Sequence, residues 1–243
     1  MSAMGMYFAE FVGTMILIVF GAGVCMNTST KDSYAKGSGW IVITAGWGFG
    51  VAMAVYATGW VSGAHINPAV TVALAITGAF DWALVPGYIV AQMLGAMAGA
   101  TLAYLAFKNH MDQEEDAGTK LGVFSTGPAI KDYKWNFVSE AIGTFVLVFG
   151  VLGIGNANNL MAPAASPLLV GILVWAIGLS LGGATGYAIN PARDLGPRIV
   201  HAILPIKGKG HSNWSYAWVP VVAPLVGGTV GALFYNFCLT MWQ

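Results

Sequence analysis

The chain has 243 residues, of which 57% are hydrophobic and only 8% charged, with ten Lys and Arg against ten Asp and Glu for a net charge of zero. A soluble domain carries roughly 25% charged residues, so this chain has too few to coat a water-facing surface, and it is far too apolar to be disordered. The lack of a basic excess removes nucleic acid as a partner, because nothing is available to neutralise phosphates.

Apolar stretches of about 20 residues can cross a bilayer. In chain order there are six, at roughly 6–28, 40–60, 83–107, 135–156, 165–183 and 216–240. A signal peptide is the competing reading of the first, but residues 1–9 hold no Lys or Arg and Glu10 interrupts the apolar run, against the expected pattern. Glycine, at 33 residues, is about twice its usual share of roughly 7%. The pairs Gly46/Gly50, Gly95/Gly99, Gly178/Gly182 and Gly227/Gly231 fall within spans. At that spacing both glycines share one helix face, and a neighbouring backbone can approach closely. Cys25 and Cys238 sit in apolar runs near opposite ends and read as small buried hydrophobes, with no disulfide framework or metal spacing.

Two further apolar segments are too short to cross. NPAVTVALAITGAF follows from Asn67 and NPARDLGPRIVHAIL from Asn190. Each predicts about a dozen helical residues, or roughly 18 Å at 1.5 Å per residue, against a bilayer core of about 30 Å. Asn followed by Pro starts a helix well, since Asn caps it and Pro suits the first turn.

The two halves resemble each other. AEFVGTMILIVFGAG begins at Ala9 and SEAIGTFVLVFGVLG at Ser139, and SGAHINPAV at 62–70 answers TGYAINPAR at 185–193. Three spans per half is an odd number, so the second half must enter from the opposite side. Inverted repeats with a Gly/Pro-interrupted short segment in each half point to a transport protein whose site lies at the membrane midplane. The predicted fold is therefore an all-α membrane protein, six transmembrane helices plus two half-membrane helices in an inverted repeat. A single domain is expected over 1–243, with a first repeat of about 1–107 and a second of about 135–243.

Two NPA motifs, Asn67-Pro68-Ala69 and Asn190-Pro191-Ala192, in matching positions of such a repeat resemble the aquaporins over essentially the whole chain. Asp194 directly after Arg193, then Arg198, and Pro220 in the last span are similar to the glycerol-facilitator branch. The resemblance implies a selectivity filter of Trp47, Gly178, Tyr187 and Arg193. Water-selective relatives usually hold His at the place of Gly178, and glycerol facilitators often hold Phe at that of Tyr187, whose hydroxyl is the one departure here. Trp47 and Tyr187 are expected to offer an aromatic corner to CH groups, Arg193 a fork of donors to hydroxyl oxygens, and Gly178 free volume. The backbone of Gly63, Ala64, His65 and Ile66, and of Gly186, Ala188 and Ile189, is expected to run extended and to turn carbonyls to the solute. Such backbone is tolerated at membrane depth only where protein or a cavity satisfies it.

Glu10 and Glu140 must face inward, because a charge at a helix centre costs about 2.5–3.5 kcal/mol on insertion scales. They read either as a proton or ion relay or as acceptors for the loops that carry the NPA motifs, and the resemblance implies the second. His65 reads as a hydrogen-bonded loop histidine or as a pH gate. Asp194 is expected to fix the Arg193 loop or cap a helix end, and DQEED at 112–116 to be a solvated loop. No cofactor and no metal are expected. The chain is expected to be a passive channel and not an enzyme, with small neutral solutes (glycerol and water, then urea or undissociated hydroxy acids) and the lipid bilayer as partners. An alternating-access carrier would share the inverted repeat and buried acids, but this sequence offers no coupling-ion site beyond Glu10 and Glu140, and two facing NPA half-helices suit a fixed pore. The resemblance also implies a homotetramer in the plasma membrane with both termini cytoplasmic. That topology puts all ten Lys and Arg on the outer side, whereas a positive-inside count would reverse it.

Overall fold

The computed structural model describes residues 1–160 and 162–242, whose regular elements are all helices, without strands. Three long helices and one short one build the first half-structure: α1 Ala3–Ser29, α2 Trp40–Ser62, the short α3 Pro68–Ile76, and α4 Val85–Ala106. Two six-residue helices follow, α5 Lys108–Gln113 and α6 Ala117–Gly122. The second half repeats the order with α7 Tyr133–Ile154, α8 Ser166–Leu181, α9 Pro191–Ile203 and α10 Val219–Trp242.

The ends of these helices follow from local chemistry. Ser2 Oγ accepts from the Gly5 N–H at 3.2 Å to open α1, and Asp132 caps α7 through the Lys134 N–H at 3.1 Å. Asp81 caps a single 3-10 turn at Trp82–Leu84 that leads into α4. Five helical segments are long and apolar enough to span a bilayer. The predicted fifth span is shorter than expected. α8 has 16 residues, about 24 Å at the helical rise, and opens directly after a separate 3-10 turn at Pro163–Ala165.

The long helices are apolar on every side, as expected where lipid replaces water, whereas α9 carries Arg193, Asp194 and Arg198. Phe20, Phe49, Trp60, Leu102, Ile142, Val226 and Phe237 face outward, half-exposed or more in most cases. The interior is built instead from small and hydroxyl-bearing residues: Ala52, Ala96, Ala100, Thr14, Thr44 and Thr144 are essentially inaccessible. Three of the glycine pairs do what their spacing predicts. A Cβ added at Gly95 would lie 2.3 Å from the Phe11 carbonyl of α1, and one at Gly227 would lie 2.0 Å from the Ala141 carbonyl of α7. One at Gly46 would meet Val24 at 2.7 Å. These contacts join α4 to α1, α10 to α7 and α2 to α1, two of them related by the repeat.

The half-helices α3 and α9 insert between the halves. α3 packs on α10 and α4, and α9 on α4 and α10. With nine and 13 residues they measure about 14 and 20 Å, so α3 is shorter than predicted, yet the two end to end still match a core of about 30 Å.

Candidate functional site

The two Asn-Pro starts meet. Asn67 Oδ1 accepts from the Ala69 N–H at 2.9 Å, and Asn190 Oδ1 accepts from the Ala192 and Arg193 N–H groups at 3.0 and 3.2 Å. Each side-chain oxygen thus caps its own half-helix. Each Nδ2 donates across the junction, Asn67 to the Ile189 carbonyl and Asn190 to the Ile66 carbonyl, both at 2.8 Å. A primary amide has two N–H donors, so one on each asparagine stays free at the meeting point. Pro68 and Pro191 occupy the first helical turn, where a missing N–H costs nothing. Ala69 and Ala192 are fully buried behind them.

The stretches leading to each motif are not extended. Gly63 and Gly186 both sit at φ 82°, Ala64 and Ile66 at 46° and 44°, Tyr187 and Ile189 at 40° and 44°. His65 and Ala188 alternate with these left-handed residues. Such conformations cost about 1–3 kcal/mol each outside glycine and persist only where the surroundings over-determine them. The buried acids supply that constraint. Glu10 accepts from the N–H of His65 at 2.9 Å and of Ile66 at 2.7 Å, from the Ser62 hydroxyl at 2.7 Å and from the Gln92 amide at 2.7 Å. Glu140 accepts from the N–H of Ala188 and Ile189, both at 2.9 Å, and from the Thr185 hydroxyl at 2.6 Å. With the amide N–H groups turned to the carboxylates, the carbonyls of Ile66 and Ile189 are left facing the junction.

A cavity of about 230 Å³ runs past this junction. Its polar edge comes from Gly63, Ala64, His65, Ile66, Asn67, Ala188, Ile189, Asn190 and Arg193, and its apolar wall from Leu17, Val51, Val70, Leu147 and Val174 of both halves. Trp47 and Tyr187 also line it, whereas Gly178 and Gly186 do not.

The filter residues Trp47, Gly178, Tyr187 and Arg193 come together, but two expectations change. The Arg193 guanidinium lies 3.7 Å from the centre of the Trp47 ring, so Arg193 stacks on a ring that was expected to meet the CH groups of the solute. The indole N–H of Trp47 is used up on Cys25 Sγ at 3.4 Å. Gly178 does not leave an open void either. A Cβ there would stand 2.7 Å from Tyr187 Cζ, because the tyrosine ring already fills the space.

Asp194 and Arg198 form a buried, two-pronged pair, with Nε to Oδ1 at 2.8 Å and Nη2 to Oδ2 at 3.0 Å. Asp194 Oδ2 also accepts from the Thr126 N–H and hydroxyl, both at 2.7 Å. Arg198 donates onward to the Thr126 and Ser212 carbonyls at 2.8 Å each. The turn that carries Arg193 is thereby tied to the connections on both sides of it. His65 Nδ1 lies 3.1 Å from Thr71 Oγ1, with its ring packed on Phe80 and Tyr88. DQEED is largely solvated, as expected, but ordered: Asp112 and Gln113 end α5, and Asp116 caps α6, accepting from the Thr119 N–H at 2.6 Å. Glu114 accepts from the Lys31 N–H at 3.1 Å. The Asp116 N–H, with those of Glu115 and Lys31, holds the Glu114 carboxyl below its usual range. This clasp between connections is fully formed above the ordinary carboxylate range and is lost as pH falls through the lowered value.

Several partners were not anticipated: Gln92, Thr126, Cys25, Trp40, and the hydroxyls of Ser62 and Thr185. The last two had a visible signal, since each stands five residues before its NPA asparagine in the aligned strings SGAHINPA and TGYAINPA. Gln92 and Thr126 come from elements far away in sequence and carry no local mark.

A family model described as Major intrinsic protein matches residues 1–235. A glycerol uptake facilitator protein of Bacillus subtilis (strain 168) is 59% identical over 95% of this chain and 83% of its own length. Glycerol uptake facilitator protein 3 of Lactiplantibacillus plantarum is 53% identical, over 93% of this chain and 94% of its own. Among solved structures, the aquaglyceroporin from Plasmodium falciparum superposes with a TM-score of 0.86 at 31% identity, covering 97% of this chain and 96% of that one.

Proposed function

The chain belongs to the major intrinsic protein family, and from that premise we propose that it is a passive transmembrane channel for glycerol and similar small uncharged solutes, together with water. It is a channel and not an enzyme. The observation that carries this reading is the paired junction, where Asn67 and Asn190 each keep one free N–H between two half-helix N-termini inside an apolar-walled cavity.

Glycerol has a polar hydroxyl edge and an apolar carbon edge, and conduction requires contacts that are good enough to enter and weak enough to leave. The free amide donors and the carbonyls of the turned backbone serve the hydroxyls. Leu17, Val51, Val70 and Val174 serve the carbons. Trp47, Gly178, Tyr187 and Arg193 act as the narrow filter. Because Arg193 rests on Trp47, a passing solute must slide between that stack and Tyr187, or displace Arg193 by bonding to its guanidinium. A cation is refused by Arg193 and by the positive ends of two helix dipoles, the pair of barriers known for aquaporin-type pores. An anion is refused because an apolar wall cannot replace its hydration shell. Glu10, Glu140 and Asp194 hold the loops in shape. Urea and undissociated hydroxy acids are the next solutes the same chemistry admits.

We place the channel in the plasma membrane as a homotetramer with one pore per subunit, and with the Arg193 side outward. In proteoliposomes the protein should speed glycerol entry well above empty vesicles, with weak temperature dependence and no proton current. Glycerol entry no faster than in empty vesicles sinks the glycerol reading.

A further inference from the structure

Three of the four glycine pairs receive only a neighbouring helix; the fourth, at the end of α8, receives Thr44 and Trp40 of α2 and, beside them, an aromatic ring. The face of α8 at Gly178 and Gly182 receives the ring of Tyr187. A Cβ at Gly178 would stand 2.7 Å from Tyr187 Cζ, and one at Gly182 would stand 2.5 Å from Tyr187 Cδ1. The tip and the base of the ring therefore each lie over a glycine, one helical turn apart on one face. Trp40, at the start of α2, closes the outer side. Its indole N–H donates to the Gly178 carbonyl at 2.9 Å, and its ring meets that of Tyr187 edge-on at 5.9 Å. A Cβ at Gly182 would also stand 2.7 Å from Trp40 Cζ2.

We propose that Gly182 and Trp40 are positioning residues of the filter: with Gly178 they form a niche that holds the Tyr187 ring back against α8 and so sets the widest solute that passes. This inference rests on the channel reading above. Two observations show that shape alone holds the ring. The Tyr187 hydroxyl is buried and has no hydrogen-bond partner among the described residues, so no polar tether fixes it. The Tyr187 backbone is left-handed at φ 40°, a region that side chains occupy only when their surroundings force it. Any atom added to the niche must push the ring toward Arg193 and Trp47, the remaining walls of the filter. Opening the niche gives the ring room to retreat. The two changes therefore act in opposite directions on solute size, which loss of folding cannot imitate.

The test compares osmotic water, glycerol and erythritol permeabilities of the full chain in proteoliposomes. Gly182→Ala should lower the glycerol-to-water ratio about tenfold, the scale of an overpacked contact. Adding Tyr187→Leu should restore the ratio to within about twofold of Tyr187→Leu alone, because that ring is the shortest of the three contacts, ahead of the Gly178 carbonyl at 2.6 Å and Trp40 at 2.7 Å. Trp40→Ala should raise the erythritol-to-glycerol ratio about threefold or more, since the niche loses its outer wall. Trp40 is 40% exposed, so this variant keeps the test open if Gly182→Ala fails to insert. Equal losses of water and glycerol in Gly182→Ala, no restoration in the double variant, or an unchanged erythritol ratio in Trp40→Ala would overturn the niche. A wild-type protein that passes water but no glycerol would instead sink the channel's proposed solute. The niche would then be judged on water alone, which Gly182→Ala must lower and the double variant restore.

Discussion

A carboxylate in the middle of an apolar helix is costly unless every oxygen is answered, and Glu10 shows how fully this one is. Its Oε2 takes both the Ile66 N–H and the Gln92 amide, while Oε1 takes the Ser62 hydroxyl and the His65 N–H. That geometry leaves no lone pair free for a travelling proton and argues for a loop anchor over a relay. Glu10→Gln replaces one acceptor oxygen with a donor, which must then face another donor. Leaving a buried N–H unpaired costs about 1–3 kcal/mol, so thermal unfolding in detergent should shift down by roughly 2–10 °C for a chain of this size. Glycerol and water permeabilities should fall together. An unchanged melting temperature with loss of a saturable, proton-coupled flux would make the protein a carrier.

Elements were readable from the sequence where their physics is local. Spans follow from apolar length, half-helices from Asn-Pro caps, and the helix contacts at Gly46, Gly95 and Gly227 from glycine spacing. The failures come from tertiary constraint. Nothing in GAHI or GYAI announces left-handed backbone at Ala64, Ile66, Tyr187 and Ile189, because carboxylates from helices about 50 residues away impose it. The fourth glycine pair has the same spacing as the others, and only the fold decides that it receives a ring. Arg193 and Trp47 were expected in one filter, but the stacking of the guanidinium on that ring depends on side-chain freedom that no motif encodes. The helix contacts carry a prediction of their own. Gly227→Ala places a methyl 2.0 Å from the Ala141 carbonyl, a backbone atom that cannot rotate away, so α7 and α10 must separate. Overpacking of this kind costs about 1–3 kcal/mol. Gly23→Ala in α1 is the matched control, because a Cβ there meets nothing within 4 Å. It should leave the melting temperature unchanged or raise it slightly through better helix propensity. If both variants melt alike, close backbone approach is not what joins α7 to α10.

At the scale of the whole molecule, the charges separate by face. Helix direction alternates along the chain, so the connections 30–39, 107–132 and 182–218 share one end, and the other end holds the chain start and the connections 63–84 and 155–165. Every Lys lies at the first end: Lys31, Lys36, Lys108, Lys120, Lys131, Lys134, Lys207 and Lys209, with Arg193 and Arg198 beneath them. That end is also the one stitched together across connections, by Glu114 to the Lys31 N–H, by Lys120 to the Lys207 carbonyl and by Arg198 to the Thr126 carbonyl. Basic residues ordinarily stay cytoplasmic, so this distribution opposes the proposed outward orientation of Arg193. The arginines weaken the opposition, since Arg193 and Arg198 are buried and Arg198 is paired with Asp194; the lysines do not, because neighbouring acids contribute little to the rule. A membrane-impermeant, amine-reactive reagent decides between the orientations. Applied to intact cells, it should modify the lysines as fully as it does after permeabilisation, and peptide mapping should find the modified sites in 30–39 and 107–134. Labelling that appears only after permeabilisation would put the lysine-bearing face inside and reverse the proposed topology without altering the pore.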